Sequence, residues 1–258
     1  MSGCSRTGLT TQQTEYPKPT RVNAKSIASG LLFISGAAAL VYQLLWAKQL
    51  SLVVGVDIHA ITIAISAFFA GLGFGGLLIG RLADRITRPV RFYAALELGV
   101  AACGLAVTWA LAQIAPLFAA LEAQQAWVAW LMLSAIVAIP PFMMGGTLPV
   151  LVRALAPGDS EIGAVTGRLY AANTAGAIFG ALGVTFVLIP SAGLQGAAVV
   201  AAIANIAAAL GALGLEKYRR PALNVRREPP ASKRLGGRLA LLLYAIAGGI
   251  ALGYEVVW

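Results

Sequence analysis

Charged residues are scarce in this chain, and their scarcity decides its class. Only 11% of the 258 residues are charged, whereas 59% are hydrophobic. Soluble globular proteins carry about 25% charged residues. A soluble globule is therefore excluded, and we predict an all-α protein that crosses a membrane several times.

Histidine and cysteine are also rare, which excludes most metal chemistry. His59 is the only histidine, and the two cysteines, Cys4 and Cys103, lie in a polar tail and in an apolar run. A zinc or haem site needs clustered His or Cys ligands, and a disulfide framework needs more cysteines. We expect neither a metal nor a cofactor.

The chain begins with polar sequence and lacks the apolar core of a cleaved signal peptide. Residues 1–25 are rich in Thr and Gln and contain Pro17 and Pro19. Such a composition predicts a polar tail without a packed core. The first apolar run is therefore expected to stay as a membrane anchor.

Six long apolar runs follow, each close to the roughly 20 residues that span a bilayer. The sequence predicts a six-helix bundle over residues 26–215, a basic linker over 216–238 and a seventh membrane helix over 239–258. The six predicted spans are 26–50, 58–80, 92–117, 126–152, 162–189 and 195–215.

The basic residues orient this bundle. With the N-terminus in the cytoplasm, 18 of the 19 Lys and Arg residues fall in cytoplasmic segments, and only Lys48 lies outside. Cytoplasmic loops are enriched in Lys and Arg, so we predict a bacterial inner-membrane protein with a cytoplasmic N-terminus. The net charge of +9 is then a topology signal, and the expected partner is the lipid bilayer rather than nucleic acid.

A repeat links the two ends of the chain. The stretch GAAALVYQLLW, from Gly36 to Trp46, returns as GGIALGYEVVW, from Gly248 to Trp258, at an offset of 212 residues. An even number of spans between the copies makes them parallel, as in the two halves of major facilitator transporters. We expect a major-facilitator-like six-helix half followed by the first helix of a second half, packed on the first six and continuing beyond Trp258.

The repeat also supplies candidate residues for a substrate pathway: Tyr42, Gln43, Trp46, Tyr254 and Glu255. The aromatic pair Tyr42 and Trp46 shares one helix face. An alternative interpretation makes these two side chains anchors in the aromatic belt at the membrane surface. An acid at Glu255 favours a pathway, because it needs a partner or a cavity.

Glycines crowd the end of the second span. Gly71, Gly73 and Gly76 match GxGxxG, but a dinucleotide site needs a preceding strand, which is missing here. The spacings of Gly71 with Gly75 and of Gly76 with Gly80 instead predict close helix packing.

The sequence just after these glycines resembles the signature loop of major facilitator transporters. It comprises Gly80, Asp84, Arg85 and Arg88, which we name the cytoplasmic latch. The resemblance implies that Asp84 pairs with a basic residue across the bundle. A plain positive-inside loop would explain the arginines alone.

Glu97 is an acid inside the third predicted span. It lies six residues beyond Arg91, about 9 Å deep in a helix. A charge at that depth costs roughly 2 to 3 kcal/mol unless it is paired or hydrated. We expect it to pair with Arg168 or Arg153, or to bind a proton or another cation.

Two further features lie in the fourth and fifth spans. Pro140, Pro141 and Pro149 predict a kinked or broken helix, either as a binding element or as a rigid packing kink. Asn173 shares a helix face with Gly176 and Gly180, which favours close packing against a neighbouring helix over a substrate contact.

With these stretches assembled, the chain resembles the membrane-embedded spermidine synthase family, in which a major-facilitator-like part is fused to a polyamine aminopropyltransferase-like part. The most specific matches are PPFMMGGTLPVLVR and GRLYAANTAGAIFGALG. The resemblance implies an inner-membrane domain followed, in longer members, by a soluble domain that binds decarboxylated S-adenosylmethionine and an amine. The glycine-rich loop of that domain is missing from these 258 residues, so no catalytic residue is assigned.

Three functions follow from this interpretation. The first is a non-catalytic, transporter-like membrane domain that handles a polyamine or another cationic small molecule, with Glu97 and Glu255 as counter-charges. The second is a structural or accessory subunit of a larger membrane complex. The third is the membrane anchor of an aminopropyltransferase whose catalytic domain lies beyond residue 258 or on another chain.

Overall fold

The computed structural model describes residues 21–55, 58–156 and 159–216, together with residues 239, 242, 243 and 245–250 of the last segment. The described residues form helices and short turns, without a strand. The prediction of an all-α fold is confirmed for this part of the chain. The helices are α1 (Arg21–Val54), α2 (Ile58–Ala83), α3 (Pro89–Gln113), α4 (Ala115–Leu155), α5 (Asp159–Gly183) and α6 (Ile189–Glu216), with a π-helical turn (Val184–Leu188) between α5 and α6.

Five helical stretches of the described chain are long and apolar enough to cross a membrane. They are Ala24–Val54, Ala60–Ala83, Pro89–Gln113, Ala115–Leu155 and Glu161–Glu216. The last one has 56 residues and would be about 84 Å long if it were straight, whereas a bilayer core is about 30 Å thick. It is interrupted at Gly193, where φ is 68° and ψ is −174°.

Contacts between side chains show that the chain reverses direction at Gly193. Helices α1, α3 and α5 run in one direction and the part of α6 after Gly193 runs in the other. Ser35 contacts Glu97 and Trp46 contacts Thr108, so residue numbers rise in the same direction along α1 and α3. Lys25 contacts Glu161 and Phe33 contacts Gly176, so α1 and α5 are also parallel. Glu97 contacts Asn205 and Arg91 contacts Glu216, so α6 runs antiparallel to α3. The long stretch therefore forms two segments that run in opposite directions, and the described bundle contains six helical segments.

Glycines bring two pairs of helices into close contact. In the α2–α4 pair, Gly75 lies against the backbone of Phe142, and Gly145 lies against the backbone of Leu72. A Cβ atom at either glycine would overlap the facing backbone. The packing predicted from the glycine spacings of the second span is therefore confirmed.

The same principle holds for α1 and α5. Gly176 lies against the Phe33 backbone, and Gly180 lies against Ala37. Asn173 approaches Gly36 through its backbone and through its side-chain oxygen. The predicted packing role of this face of α5 is confirmed.

Of the predicted kink or break at the prolines of the fourth span, the break does not occur. Helix α4 keeps helical backbone angles through Pro140, Pro141 and Pro149, and its one non-helical residue is Gln125 (φ −147°, ψ 82°). Glycines of α2 lie against two of the proline rings, Gly71 against Pro141 and Gly80 against Pro149. The third span also ends earlier than predicted, at Gln113, because α4 begins at Ala115 with Pro116 in its first turn.

The predicted seventh helix is described only in part. Residues 239, 242, 243 and 245–250 are helical, and every one of them is exposed. Nothing lies within 4 Å of a Cβ atom built at Gly248. The expected packing against the first six helices is therefore wrong for these residues, and Tyr254 and Glu255 lie outside the described residues.

The basic residues of the described bundle gather at one end, where α1, α3 and α5 begin and α2, α4 and α6 finish. We call this the basic end; it contains Lys25, Arg81, Arg85, Arg88, Arg91, Arg153 and Arg168. Lys48 is near the other end of α1. This segregation is the pattern on which the predicted orientation rests.

Candidate functional site

Glu97 lies at the centre of a buried polar cluster made by three helices. Its side chain on α3 has no exposed surface. The Ser35 hydroxyl on α1 donates to Oε1 at 2.7 Å, and the Asn205 amide nitrogen on α6 donates to Oε2 at 2.7 Å. The carboxyl group therefore ties α1, α3 and α6 together. We call Ser35, Tyr93, Glu97 and Asn205 the Glu97 cluster.

Tyr93 completes the cluster from one turn earlier on α3. Its side chain is fully buried, and its hydroxyl lies near both Glu97 and Ser35 but outside hydrogen-bond geometry. The Asn205 carbonyl oxygen is also buried without a hydrogen-bond partner. Two buried oxygen atoms beside the carboxyl group are thus left unsatisfied, which is uncommon in native proteins.

The position of Glu97 along the bundle is also informative. Two apolar clusters fill the bundle, and Tyr93 belongs to the one nearer the basic end, whereas Val100 belongs to the other. Glu97 therefore lies at the boundary between two apolar cores. A polar group at such a boundary is surrounded by hydrocarbon on both sides, so its hydrogen bonds are shielded from water.

The predicted ion-pair partners of Glu97 are wrong. Arg168 donates to Ser26 at 3.0 Å, and Arg153 pairs with Asp84. Both arginines belong to the basic end, and the two residues that contact the Glu97 carboxyl in the described chain are neutral donors. Sequence reasoning missed Ser35, Tyr93 and Asn205, because a single polar residue in an apolar span does not show which helix it faces.

Tyr42 and Trp46 belong to the core and are not exposed at the membrane surface. Both are fully buried and stacked, with ring centroids 5.1 Å apart. The Trp46 indole N–H donates to the Thr108 hydroxyl at 3.0 Å. The aromatic-belt interpretation is therefore wrong for this pair, whose polar edges face α3 instead of lipid headgroups.

A second polar group surrounds this aromatic pair. Thr108 donates its hydroxyl to the Gly104 carbonyl at 2.8 Å, and its own carbonyl accepts from the Gln49 amide at 2.9 Å. Gly104 also lets the Tyr42 ring lie directly on α3, because a Cβ there would overlap the ring. Gln43 is buried on α1. These contacts fasten α1 to α3 further from the basic end than Glu97.

The candidate residue Asn173 lies apart from Glu97. Asn173 is half-buried on α5 and faces Gly36, on the α1–α5 side of the bundle. The structure thus joins Tyr42, Trp46 and Glu97 along one α1–α3 seam and separates Asn173 from it.

The Asp84 residue of the cytoplasmic latch pairs across the bundle. Asp84 Oδ1 lies 3.8 Å from Arg153 Nε, so the end of α2 is linked to the end of α4. Gly80 lies against Pro149 in the same seam, and Arg85 and Arg88 are exposed. The predicted pairing of Asp84 with a basic residue of another helix is confirmed.

Among the described residues, two more ion pairs occur at the basic end. Lys25 Nζ lies 2.8 Å from Glu161 Oε2, joining α1 to α5, and Arg91 Nε lies 3.9 Å from Glu216 Oε1, joining α3 to α6. With Asp84 and Arg153, each of the three most extensively packed helix pairs carries one ion pair at this end. The contacting side chains are partly exposed, so each pair contributes little to stability.

Comparisons with known proteins give no family for this chain. No protein-family description, curated protein or solved structure matches it. In the described part of the chain, no group of three or more His, Cys, Asp or Glu side chains is arranged to hold a metal ion. The functional argument therefore rests on the geometry of the bundle and of the Glu97 cluster.

Proposed function

We propose that this chain forms a transporter-like membrane domain of the spermidine synthase-like type, embedded in the bacterial inner membrane with its N-terminus in the cytoplasm. The alternating direction of the six segments and the gathering of the basic residues at one end support this proposal. The proposal assigns no catalytic step to the described residues.

The substrate class that we propose is a polyamine or another small organic cation. The observation that carries this proposal is the buried Glu97 carboxyl, which is held by neutral donors from two other helices. Ionisable groups inside a membrane bundle are costly and usually mark a pathway for ions or substrates. A carboxylate would favour a protonated amine over neutral and anionic solutes.

Binding of spermidine to the purified protein tests this function. We expect saturable binding of radiolabelled spermidine to the detergent-solubilised chain, and a loss of at least about tenfold in affinity for Glu97→Gln, because one charge-assisted interaction disappears. Glu122→Gln is the matched control, because Glu122 is exposed near the start of α4. Equal binding by wild type and Glu97→Gln would contradict the role of this carboxyl.

A structural or accessory subunit is the second candidate, and the closed packing of the bundle favours it. Glu97 has no exposed surface, and glycine contacts leave no space between α1 and α5 or between α2 and α4 at their closest points. A domain of this kind would be recovered with partner proteins from native membranes and would bind no amine. Absence of spermidine binding together with stable co-purification would select this function.

A further inference from the structure

We propose that the Glu97 cluster is a binding site for a monovalent metal cation, for which sodium is the probe. Four oxygen atoms lie close together there, namely both carboxyl oxygens of Glu97, Ser35 Oγ and Tyr93 Oη, and rotation of the Asn205 amide would add its Oδ1 as a fifth. Hard cations such as sodium are bound by sets of oxygen ligands. All four side chains are buried, so the ligands are already shielded from water.

The unsatisfied oxygens mark a place for a cation beside Glu97. Asn205 Oδ1 and Tyr93 Oη have no hydrogen-bond partner although both are buried. A metal ion can accept several oxygen ligands at once and would satisfy both. A proton on the Glu97 carboxyl would donate to one of them while the Tyr93 hydroxyl donated to the carboxyl, so the sodium titration at constant pH separates the two ions.

The existing side chains can present their oxygens to an ion without a change of backbone. Rotation of the Asn205 amide exchanges the positions of its nitrogen and its oxygen, which are nearly equal in size. The Ser35 hydroxyl can turn its hydrogen away from Glu97, because a hydroxyl both donates and accepts. The 2.7 Å contacts of these two side chains with the carboxyl show that both reach its oxygens.

Charge and size select a monovalent ion. The cluster has one carboxyl group, and the neighbours that contact it are neutral, so one positive charge balances it and two would leave an uncompensated charge in hydrocarbon. Because Glu97 is completely buried in this arrangement, a polyamine would reach it only in a more open state of the bundle, whereas a single small ion is compatible with the closed one. The ion site does not depend on amine handling and would exist in a purely structural subunit as well.

Thermal unfolding of the purified protein tests the site. The protein is dialysed into choline chloride and titrated with sodium chloride at constant ionic strength and pH, with unfolding followed by tryptophan fluorescence. We expect a saturable rise of the unfolding midpoint with sodium, because an ion that binds only the folded state stabilises it. Radioactive sodium should bind at one ion per chain.

Variants locate the ion. Glu97→Gln should abolish the sodium response, and Tyr93→Phe, which removes one ligand oxygen and keeps the ring, should raise the half-saturating sodium concentration roughly tenfold. Glu122→Gln should respond like wild type, because Glu122 is exposed outside the cluster. The titration of the wild-type protein decides the question even if a variant fails to fold.

Three results would overturn the proposal. The first is equal stability in sodium and choline; the second is a response to pH with none to sodium, which would assign a proton to Glu97; the third is an unchanged sodium response in Glu97→Gln. The spermidine assay is independent of these results. Sodium binding without spermidine binding keeps the ion site and rejects amine handling, and the converse result rejects only the ion site.

Discussion

Replacing Gly176 with Ala tests how closely α1 and α5 must pack. A Cβ atom at this position would overlap the Phe33 carbonyl oxygen and would lie 2.7 Å from the Phe33 carbonyl carbon and 2.9 Å from its Cα. The obstructing atoms are backbone, so no side-chain rotation can relieve the clash. The helices would have to separate, or α5 would have to rotate.

The cost follows from the distances. An ordinary contact begins near 3.4 Å, so the approach to the carbonyl carbon is about 0.7 Å too short, and the carbonyl oxygen is nearer still, so the helices must separate by more than this. A separation of that size weakens the dispersion contacts along the whole seam. Overpacking of this kind costs about 1 to 3 kcal/mol, partly offset by the roughly 0.5 to 1 kcal/mol that Ala gains over Gly in a helix.

Gly167→Ala is the matched control on the same helix. Gly167 is exposed, and a Cβ there would meet nothing within 4 Å, so this variant should equal or exceed wild type in stability. The gain of Ala over Gly is common to both variants, so we expect them to differ by the overpacking cost, roughly 1 to 3 kcal/mol. The free energy of unfolding in detergent, followed by tryptophan fluorescence, measures the difference. If Gly176→Ala is as stable as Gly167→Ala, the close-packed seam is not what holds α5 to α1.

Three further measurements test other parts of the bundle. Trp46→Phe removes a buried indole hydrogen bond and should lower the free energy of unfolding by at least about 1 kcal/mol; an unchanged value would argue that the 3.0 Å bond contributes nothing. Asp84→Asn should change stability by less than about 1 kcal/mol, because the Asp84 side chain is 66% exposed. It should nevertheless increase the labelling of a cysteine placed near Arg153, and unchanged labelling would show that the pair does not restrain α2 and α4. A reporter fused at residue 225 should be cytoplasmic and one fused near Ser191 periplasmic, and the reverse pattern would refute the proposed orientation.

Most of the fold could be predicted from the sequence because hydrophobic length is a local property. The apolar runs around Gly71 and Gly176 marked both membrane segments and close helix contacts, since glycine spacing shows on which helix face a neighbour can approach. The prolines do not break α4 for a physical reason. Proline removes one hydrogen bond, but its fixed φ is close to the helical value, so α4 continues as a helix through Pro141 and Pro149.

The partners of the polar residues depended on the tertiary structure. The sequence alone determined an all-helical membrane bundle, its basic end and the cost of an acid at Glu97, because these follow from composition and depth. Which groups meet that acid depends on how α1, α3 and α6 rotate against each other, and only the packed bundle brings Ser35 and Asn205 to its two oxygens. The rotation of α1 also determines whether Trp46 is buried, because the spacing of Tyr42 and Trp46 on one helix face is the same whether that face meets lipid or another helix. Burial against α3 was the outcome, since Gly104 leaves room there for the neighbouring Tyr42 ring.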